Sequence, residues 1–457
     1  MTIQQLMPDT DCRSRRSALL RSPGVARNAL TGAVIALLPT LLPAAEPAAT
    51  ATPEEIFAAA RTYTVKIRTY VRYPLLTDTE GTSEGAGFLI DRERGWILTN
   101  GHVAGEAPSK IDIRFDGSAF TPVRKLYIDP HLDLAVLQIP PGEVPETAGA
   151  APLACDRRPD TGHPVVAFGH PSGLSFTGTR GIISGQRVLP GADWLQTDTP
   201  ISPGNSGGPL ISLRSARVVG ISSAKYTGED TENLNLALPM VYACRVLELL
   251  AAGRDPSPPW LPIVFADHDD DAPGLRVAAV YDERFAALRP GDRIISVAGY
   301  AGPVDNATAL MDALRGRASE VELRLVRDGS LVEATIRIAP HPPVTGVVAV
   351  AFSGMVIANS MQVDAAEFNL GAPLMVHDVS GSRLAVARGF ELNDVIVSVD
   401  GRPFNKPEAL FTYLKNRAAR GETPRFLVKR LSVLTRQWYQ YRFIDLPIEE
   451  PVLVTGE

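Results

Sequence analysis

The amino-acid sequence predicts a mainly β protein, and three observations support this class. Short apolar segments that end in small or polar residues, such as 95–103 and 131–139, have the length and composition of strands. A proline precedes the apolar run 210–213, which favours a turn into another strand. The segments 291–299 and 393–401 align with each other, which indicates two copies of one compact β-rich domain.

The two copies share the order of their elements. In each copy a helix-like segment rich in alanine and leucine follows the aligned stretch, and a strand-like segment comes next. Three prolines between residues 253 and 259 interrupt the periodicity before the first copy, as in a linker. The predicted organisation is a first domain, a linker and two β-rich domains, at residues 54–250, 251–259, 260–342 and 345–447.

Length and charge limit the classes of function. The chain has 457 residues, of which 45% are apolar and 21% are charged, so folded cores are expected. The formal net charge of -6 provides no basic surface of the kind that binds nucleic acid. We therefore expect no nucleic-acid partner.

The N-terminus has the composition of a targeting segment. Five arginines between residues 13 and 27 precede an apolar stretch, 29–42, that ends at Pro43-Ala44-Ala45. This order is typical of a signal peptide, so we expect residues 1–45 to be removed on export. The export route, general secretory or twin-arginine, stays open, and an uncleaved membrane anchor is an alternative.

Residues 204–208, Gly-Asn-Ser-Gly-Gly, are the most informative stretch, because the glycines leave one serine hydroxyl and its neighbouring amides accessible. Ser206 is the candidate nucleophile, with an ordinary glycine-serine turn as the alternative. A serine nucleophile needs a base in contact and a third group that orients the base. His102 and Asp133, in two strand-like segments, are the candidates for these roles.

The order of these residues distinguishes two kinds of hydrolase. In an α/β-hydrolase the acid and the histidine follow the serine, whereas His102 and Asp133 precede Ser206 here. Three histidines do follow Ser206, but no strand-to-helix elbow accompanies them. The histidines that we interpret as non-catalytic, because they lie beside prolines in turn-like or loop-like segments, are His131, His163 and His170.

Several motifs occur together in one order, at 85–90, 99–103, 133–137, 196–198 and 204–208. With these motifs the sequence, across roughly residues 55 to 250, resembles the HtrA (Deg) family of serine proteases. The resemblance implies a chymotrypsin-like double β-barrel with the catalytic triad at the barrel junction. It also implies an oxyanion hole built from the amides of Gly204 and Ser206.

The resemblance places the substrate pocket between two segments. Ile201 is expected at the floor, and the opposite wall is expected to contain Ile221, Ser222, Ser223 and Ala224. No carboxylate occurs where a pocket for lysine or arginine would need one. We therefore expect a graded preference for small or medium aliphatic side chains.

Both β-rich copies resemble PDZ domains, which bind a peptide as an added strand and hold its terminal carboxylate on backbone amides. In the first copy the expected carboxylate loop contains Pro262, which has no N–H to donate. In the second copy Ser353, Gly354 and Met355 fit this loop better. The resemblance implies C-terminal peptides as partners and leaves a structural role for the first copy open.

Three further expectations concern regulation and assembly. Arg187, in a predicted loop, is a candidate sensor of the C-terminal domains, with a solvated arginine as the alternative. Cys155 and Cys244 are expected to be free thiols, because two cysteines in a large domain are weak evidence of a disulfide. Related proteins form homotrimers, and Phe57 and Tyr63 are candidates either for such a contact or for packing within the chain.

The resemblance implies an exported, ATP-independent serine endopeptidase that cleaves unfolded or mislocalised proteins in the periplasm and is regulated by its PDZ-like domains. It implies neither a metal ion nor a cofactor. The alternative is a peptide-binding or chaperone-like scaffold that keeps the protease fold without cutting. The signature of that alternative would be a broken triad, and the three residues are all present.

Overall fold

The computed structural model describes residues 51–75, 78–171, 176–189, 192–223, 235–266, 274–281, 285–317, 319–340, 345–359, 373–431 and 439–455. The predicted signal peptide and Ala224 of the predicted pocket wall lie outside these ranges. In this part of the chain no helix has the length and apolar character needed to cross a membrane.

The first barrel follows an N-terminal helix, α1 (Pro53–Tyr63). This helix begins with a capping box, in which the Thr52 hydroxyl accepts the Glu55 N–H and the Glu55 carboxylate accepts the Thr52 N–H. The barrel strands are β1 (Thr64–Val71), β2 (Gly81–Asp91), β3 (Trp96–Thr99), β4 (Ser109–Arg114), β5 (Thr121–Asp129) and β6 (Leu134–Gln138), with the short helix α2 (Gly101–Ala104) after β3. The strands close in the order β1-β2-β3-β6-β5-β4.

The second barrel consists of β7 (Pro164–Gly169), β8 (Thr177–Leu189), β9 (Ala192–Thr197), β10 (Pro209–Ser212), β11 (Val218–Ser223) and β12 (Asn235–Pro239). These strands close in the order β10-β11-β12-β9-β8-β7, and helix α3 (Met240–Ala251) follows. Strands β10, β11 and β12 are buried along their whole length, and one apolar core includes side chains from both barrels and from α3. The predicted mainly β class and double barrel are confirmed.

Two further sheets contain the repeated segments. The third sheet has the order β13-β18-β17-β16-β15-β14, and the fourth has the order β24-β23-β22-β21-β20-β19-β25. The strands of the third sheet are β13 (Pro259–Trp260), β14 (Ile263–Phe265), β15 (Leu275–Val280), β16 (Arg293–Val297), β17 (Ser319–Arg327) and β18 (Ser330–Pro340), and α4 (Ala307–Leu314) packs with them. The fourth sheet contains β19 (Ala349–Phe352), β20 (Met355–Asn359), β21 (Leu374–Asp378), β22 (Val395–Val399), β23 (Arg425–Leu431), β24 (Tyr439–Asp445) and β25 (Val452–Val454), with helices α5 (Arg383–Arg388) and α6 (Pro407–Ala419). Strand β25 lies beyond the predicted boundary at residue 447.

The repeat is visible at the level of single hydrogen bonds. In the first copy Asp292 accepts the Arg289 N–H and pairs with Arg327, and in the second Asp394 accepts the Glu391 N–H and pairs with Arg430. The residue before each aspartate has a positive φ, which explains glycine at 291 and asparagine at 393. The aligned sequence motif therefore encodes, in both domains, one turn and one ion pair with a buried aspartate.

The expectation of free thiols is wrong. Cys155 and Cys244 form a disulfide with a Cα–Cα distance of 5.7 Å. Cys155 lies in a loop, and Cys244 lies on α3. The bridge joins the loop before the second barrel to the helix that follows that barrel. Because the two cysteines are 89 residues apart, no local sequence pattern indicated that they pair.

The predicted loop around Arg187 is a strand instead. Strand β8 continues to Leu189 and pairs with β9, so Arg187 lies opposite Trp194. The Arg187 Nε donates to the Gln196 side chain at 2.8 Å, a contact across the pair of strands. Arg187 also lines a cavity of 360 Å³ together with residues of the third sheet, such as Phe265 and Arg276.

Phe57 and Tyr63 pack within their own chain. The Phe57 ring meets the Phe168 ring edge-on, with 5.9 Å between centroids, and Tyr63 is buried in the barrel core. A contact with a second copy stays an untested prediction for both residues.

Candidate active site

His102 lies on α2, one turn of helix that follows the end of β3. Its backbone N–H donates to Asp133 Oδ1 at 2.9 Å, and its ring Nδ1 lies 2.8 Å from Oδ2 and 3.0 Å from Oδ1. The Asp133 side chain is 3% exposed. A buried carboxylate beside Nδ1 keeps the proton on that nitrogen and leaves Nε2 as the basic atom.

Asp133 is held from several directions in the turn before β6. Its backbone has a φ of 51°, a strained value for a residue other than glycine. The Ser223 hydroxyl donates to Asp133 Oδ2 at 3.3 Å, and the Asn100 side-chain amide donates to the Asp133 carbonyl at 3.0 Å. Gly101 leaves room for the carboxylate, because a Cβ there would lie 3.3 Å from Asp133 Oδ1.

Ser206 lies in the turn that precedes β10, so the chain enters a strand after the serine, as predicted. The Ser206 carbonyl accepts the Ala86 N–H at 2.8 Å, and the Gly207 N–H donates to the Ser222 carbonyl at 2.9 Å. Ala86 belongs to the first barrel and Ser222 to the second. The candidate nucleophile is therefore attached to both barrels at their junction, and His102 and Asp133 come from the first.

The glycines around Ser206 are required by contacts as well as by backbone conformation. Gly204 has a φ of +102°, and a Cβ on it would lie 2.1 Å from the His170 carbonyl oxygen. Gly207 has a φ of +84°, and a Cβ there would lie 2.1 Å from Thr99 Oγ1. Since real Cβ contacts are never this short, larger residues at either position would displace the turn.

His170 contributes to this turn in a way that the sequence did not reveal. Its backbone N–H donates to the Gly204 carbonyl at 3.0 Å, and its ring Nδ1 accepts the Phe176 N–H at 3.1 Å. Burial lowers the pKa of His170 to about 4, so the ring is neutral at physiological pH and can accept this bond. His170 therefore stabilises the turn through its hydrogen bond to Gly204, and we assign it no role in proton transfer.

The predicted pocket residues surround the same turn. Ile201, Ile221, Ser222 and Ser223 are all buried. Ser222 pairs through its backbone with Gly207 and Gly208, and Ser223 contacts Asp133, a role that the sequence did not suggest. Which side chains the pocket accepts stays a prediction.

The other two histidines interpreted as non-catalytic have different partners. His163 Nε2 lies 2.7 Å from the hydroxyl of Ser212, a buried residue of β10. His131 lies half-buried in the turn before Asp133, where its backbone N–H donates to Asp129.

The predicted peptide site of the second β-rich domain lies in a hairpin turn. Ser353 and Gly354 have φ values of 48° and 75° and connect β19 to β20, of which Met355 is the first residue. The Ser353 N–H donates to the Glu449 carbonyl at 2.8 Å. Strand β20 has β19 on one side and β21 on the other, so strand addition there would require β19 to leave.

The first β-rich domain differs at the corresponding strand. Strand β14 pairs with β15 alone in the described part of the sheet, which makes it an edge strand. Pro262 immediately precedes it, and its carbonyl accepts the Tyr281 N–H at 2.9 Å.

Comparisons with known proteins match the chain to serine proteases. The family described as “Trypsin-like peptidase domain” matches residues 85–221. A DegP-like probable periplasmic serine endoprotease of Pseudomonas fluorescens (Pf-5) is 34% identical over 282 residues, which cover 57% of this chain and 58% of the relative. A protein of the same description from Hahella chejuensis is 30% identical over 353 residues, which cover 71% of this chain and 73% of the relative. The solved structure “HtrA-type protease AlgW with tripeptide” has 26% identity and a TM-score of 0.50 and covers 63% of this chain and 98% of its own.

Proposed function

Because the chain belongs to the family of DegP-like, HtrA-type periplasmic serine endoproteases, we propose that it hydrolyses peptide bonds in unfolded or mislocalised proteins of the periplasm. We assign the triad to His102, Asp133 and Ser206. The observation that carries the assignment is the contact of His102 Nδ1 with the buried Asp133 carboxylate, beside a serine turn bonded to both barrels.

The proposed mechanism follows from these contacts. Ser206 Oγ attacks the peptide carbonyl while His102 Nε2 takes the serine proton, and the same nitrogen then delivers the proton to the leaving amine. Asp133 orients the ring and stabilises its cation. The amides of Gly204 and Ser206 stabilise the oxyanion, and removing one such donor typically costs about 2.7–4 kcal/mol of transition-state stabilisation.

The substrate preference rests on the residues around Ile201. An apolar floor and the absence of a pocket carboxylate favour small or medium aliphatic side chains. One methylene changes the transition-state binding free energy in such a pocket by only about 1–3 kcal/mol, so the preference is graded. Mass spectrometry of casein fragments tests this preference. A majority of cuts after lysine or arginine would refute the pocket assignment.

We propose that C-terminal peptides bind the first β-rich domain, by addition to the open edge of β14. The second domain fits this role less well, because β20 already has two strand neighbours. In addition, the cavity of 840 Å³ beside Ser353, Gly354 and Met355 is lined by two arginines and four carboxylates, and this excess of negative charge disfavours binding of a terminal carboxylate.

The substitution Val264→Pro on β14 is expected to abolish peptide binding measured by fluorescence anisotropy. If Gly354→Ala abolishes it instead, the site at Ser353–Met355 is the receptor.

A homotrimer stays part of the proposal on the resemblance alone. Sedimentation of the mature protein measures its mass directly, and a monomer at all concentrations would exclude the trimer.

The decisive experiment compares variants of two serines in casein digestion. Ser206→Ala is expected to abolish proteolysis while the circular dichroism spectrum stays that of the wild type, since only the attacking oxygen is lost. Ser215→Ala, which changes an exposed serine after β10, is the matched control and is expected to cleave normally. Undiminished cleavage by Ser206→Ala would refute the triad. An inactive wild type would favour the non-cleaving scaffold.

A further inference from the structure

Arg315 of the first β-rich domain forms a buried ion pair with the first barrel. Arg315 directly follows α4, and its Nη1 lies 2.6 Å from Oδ2 of Asp129, the last residue of β5. The two side chains are 1% and 0% exposed. The ion pair therefore connects the first barrel to the third sheet and is shielded from solvent. Its two residues are 186 positions apart in the sequence.

Asp129 uses its two oxygens for different tasks. Oδ1 accepts the N–H groups of His131 and Leu132, each at 3.0 Å, and so closes the turn between β5 and β6. Oδ2 binds Arg315 and accepts the Tyr127 hydroxyl at 3.1 Å. The last residue of this turn is Asp133, with its strained φ of 51°. The carboxylate that shapes the turn is thus anchored by a residue of another domain.

The charges of the pair depend on each other. Burial by itself would raise the pKa of Asp129, but the Arg315 guanidinium together with the hydrogen bond from the Leu132 N–H holds that pKa below its ordinary value. Without Arg315 the carboxylate would be a buried charge that has lost the cation it contacts, which is strongly destabilising. It would then gain by rotating or protonating, and either change loosens the bonds from Oδ1 to the turn.

The same guanidinium also connects the segment between the barrels and the repeat. Arg315 Nη1 donates to the Pro256 carbonyl at 2.7 Å and lies 3.4 Å from the Tyr127 hydroxyl. A displacement of the first β-rich domain would therefore pull on the linker and on Asp129 together.

We propose that Arg315 is a positioning residue for the reaction, acting through Asp129 on the turn that carries Asp133. By this means the first β-rich domain controls the geometry of the triad. The inference rests on the proposed function, because it assumes that Asp133 orients His102.

The test measures kcat and KM of the full-length mature protein on a fluorogenic peptide. Arg315→Met is expected to lower kcat about 10- to 100-fold with KM within about twofold, as for a small misplacement of a catalytic group. Arg315→Lys is expected to recover part of the loss, because it keeps a charge but not the planar fork. Arg327→Met is the matched control: it breaks the half-buried ion pair of Arg327 with Asp292 inside the first β-rich domain, and kcat is expected to stay unchanged.

A double variant identifies the route of the effect. If Arg315 acts through Asp129, Asp129→Asn combined with Arg315→Met lowers kcat no further than Arg315→Met does. This double variant leaves no unpaired charge at position 129, so it replaces Arg315→Met if the single variant fails to fold by circular dichroism. A wild-type kcat in the folded variant, or an equal loss in Arg327→Met, overturns the inference. An inactive wild type, or an active Ser206→Ala, refutes the proposed function instead.

Discussion

At the scale of single residues, Gly204 shows how closely the candidate oxyanion turn is packed. Its φ of +102° and the nearby His170 carbonyl both exclude a side chain. The turn is therefore set by backbone contacts that only glycine permits, and the amide assigned to the oxyanion hole depends on them.

We expect Gly204→Ala to lower kcat on peptides by about 10²- to 10³-fold with a small change in KM, because an oxyanion donor is misplaced. Gly185→Ala on β8 is the control, since the nearest atom to its new Cβ lies 3.6 Å away. Steady-state kinetics of both variants measure the effect. Full activity in Gly204→Ala would show that its amide is not used.

Because two histidines are buried, we expect the free energy of unfolding to fall in mild acid. Burial lowers the pKa of His170 and of His377 from 6.5 to about 4, so between these pH values the unfolded chain binds protons that the folded chain does not. Each histidine's contribution is complete above pH 6.5 and is lost as the pH falls to about 4. The loss is on the order of 3 kcal/mol for each residue.

The measurement is urea unfolding between pH 7 and pH 4.5 for the wild type and His377→Leu. Asp312, whose pKa burial raises to about 6, acts in the opposite direction, since its contribution is lost as the pH rises. The comparison of the two proteins isolates the histidine. An equal pH dependence in both would contradict the assignment for His377.

At the scale of elements, the disulfide and strand β19 have the largest consequences. The disulfide attaches α3 to a loop 89 residues earlier in the chain. Strand β19 has different neighbours on its two faces: Val350 and Phe352 belong to the core of the second β-rich domain, whereas Ala349 and Ala351 pack toward the first barrel. This alternation has the period of two expected for a strand buried on both faces.

Loss of the disulfide is expected to lower the free energy of unfolding by about 2–4 kcal/mol, since the bridge closes a long loop. Urea unfolding with and without dithiothreitol measures the difference. The double variant Cys155→Ser/Cys244→Ser is expected to have the lower stability already and to be insensitive to the reductant. If the wild type is equally insensitive, the bridge contributes nothing.

At the scale of the whole molecule, both β-rich domains contact the first barrel. The first does so through Arg315 and Asp129, and the second through a small apolar cluster that includes Val71, Leu75 and Ala351. The second contact lies close to the loop that follows α2, because Ala107 belongs to the same cluster. The C-terminal domains are thus in contact with the loop that follows the His102 helix and with the turn that carries Asp133.

We expect Ala351→Glu to separate the second β-rich domain from the barrel, because it would bury an unpaired charge in the cluster. Small-angle scattering would then give a larger radius of gyration. Val386→Glu, at an exposed position on α5 of the same domain, is the control and is expected to leave the radius unchanged. An unchanged radius in Ala351→Glu would argue against this contact in solution.

Local patterns in the sequence were sufficient for the class of fold, the repeat and the candidate triad. The fold class follows from short apolar segments with the length of strands. The repeat is recognisable because both copies keep an aspartate and an arginine that pair, and the residues around Ser206 are contiguous in the sequence. The turn before each aspartate was also encoded locally. Its positive-φ position holds glycine in the first copy and asparagine in the second.

Only the tertiary structure decided which distant residues meet. The disulfide, the Asp129–Arg315 pair, the contact of His170 with Gly204 and the covering of β20 by β19 each depend on how strands are ordered in a sheet or how domains pack. Side-chain periodicity reports the burial of a residue and not the identity of its partner, because any partner of suitable polarity satisfies the same pattern. For this protein the sequence determined the candidate chemistry, and the packing of the barrels and β-rich domains determined what holds that chemistry in place.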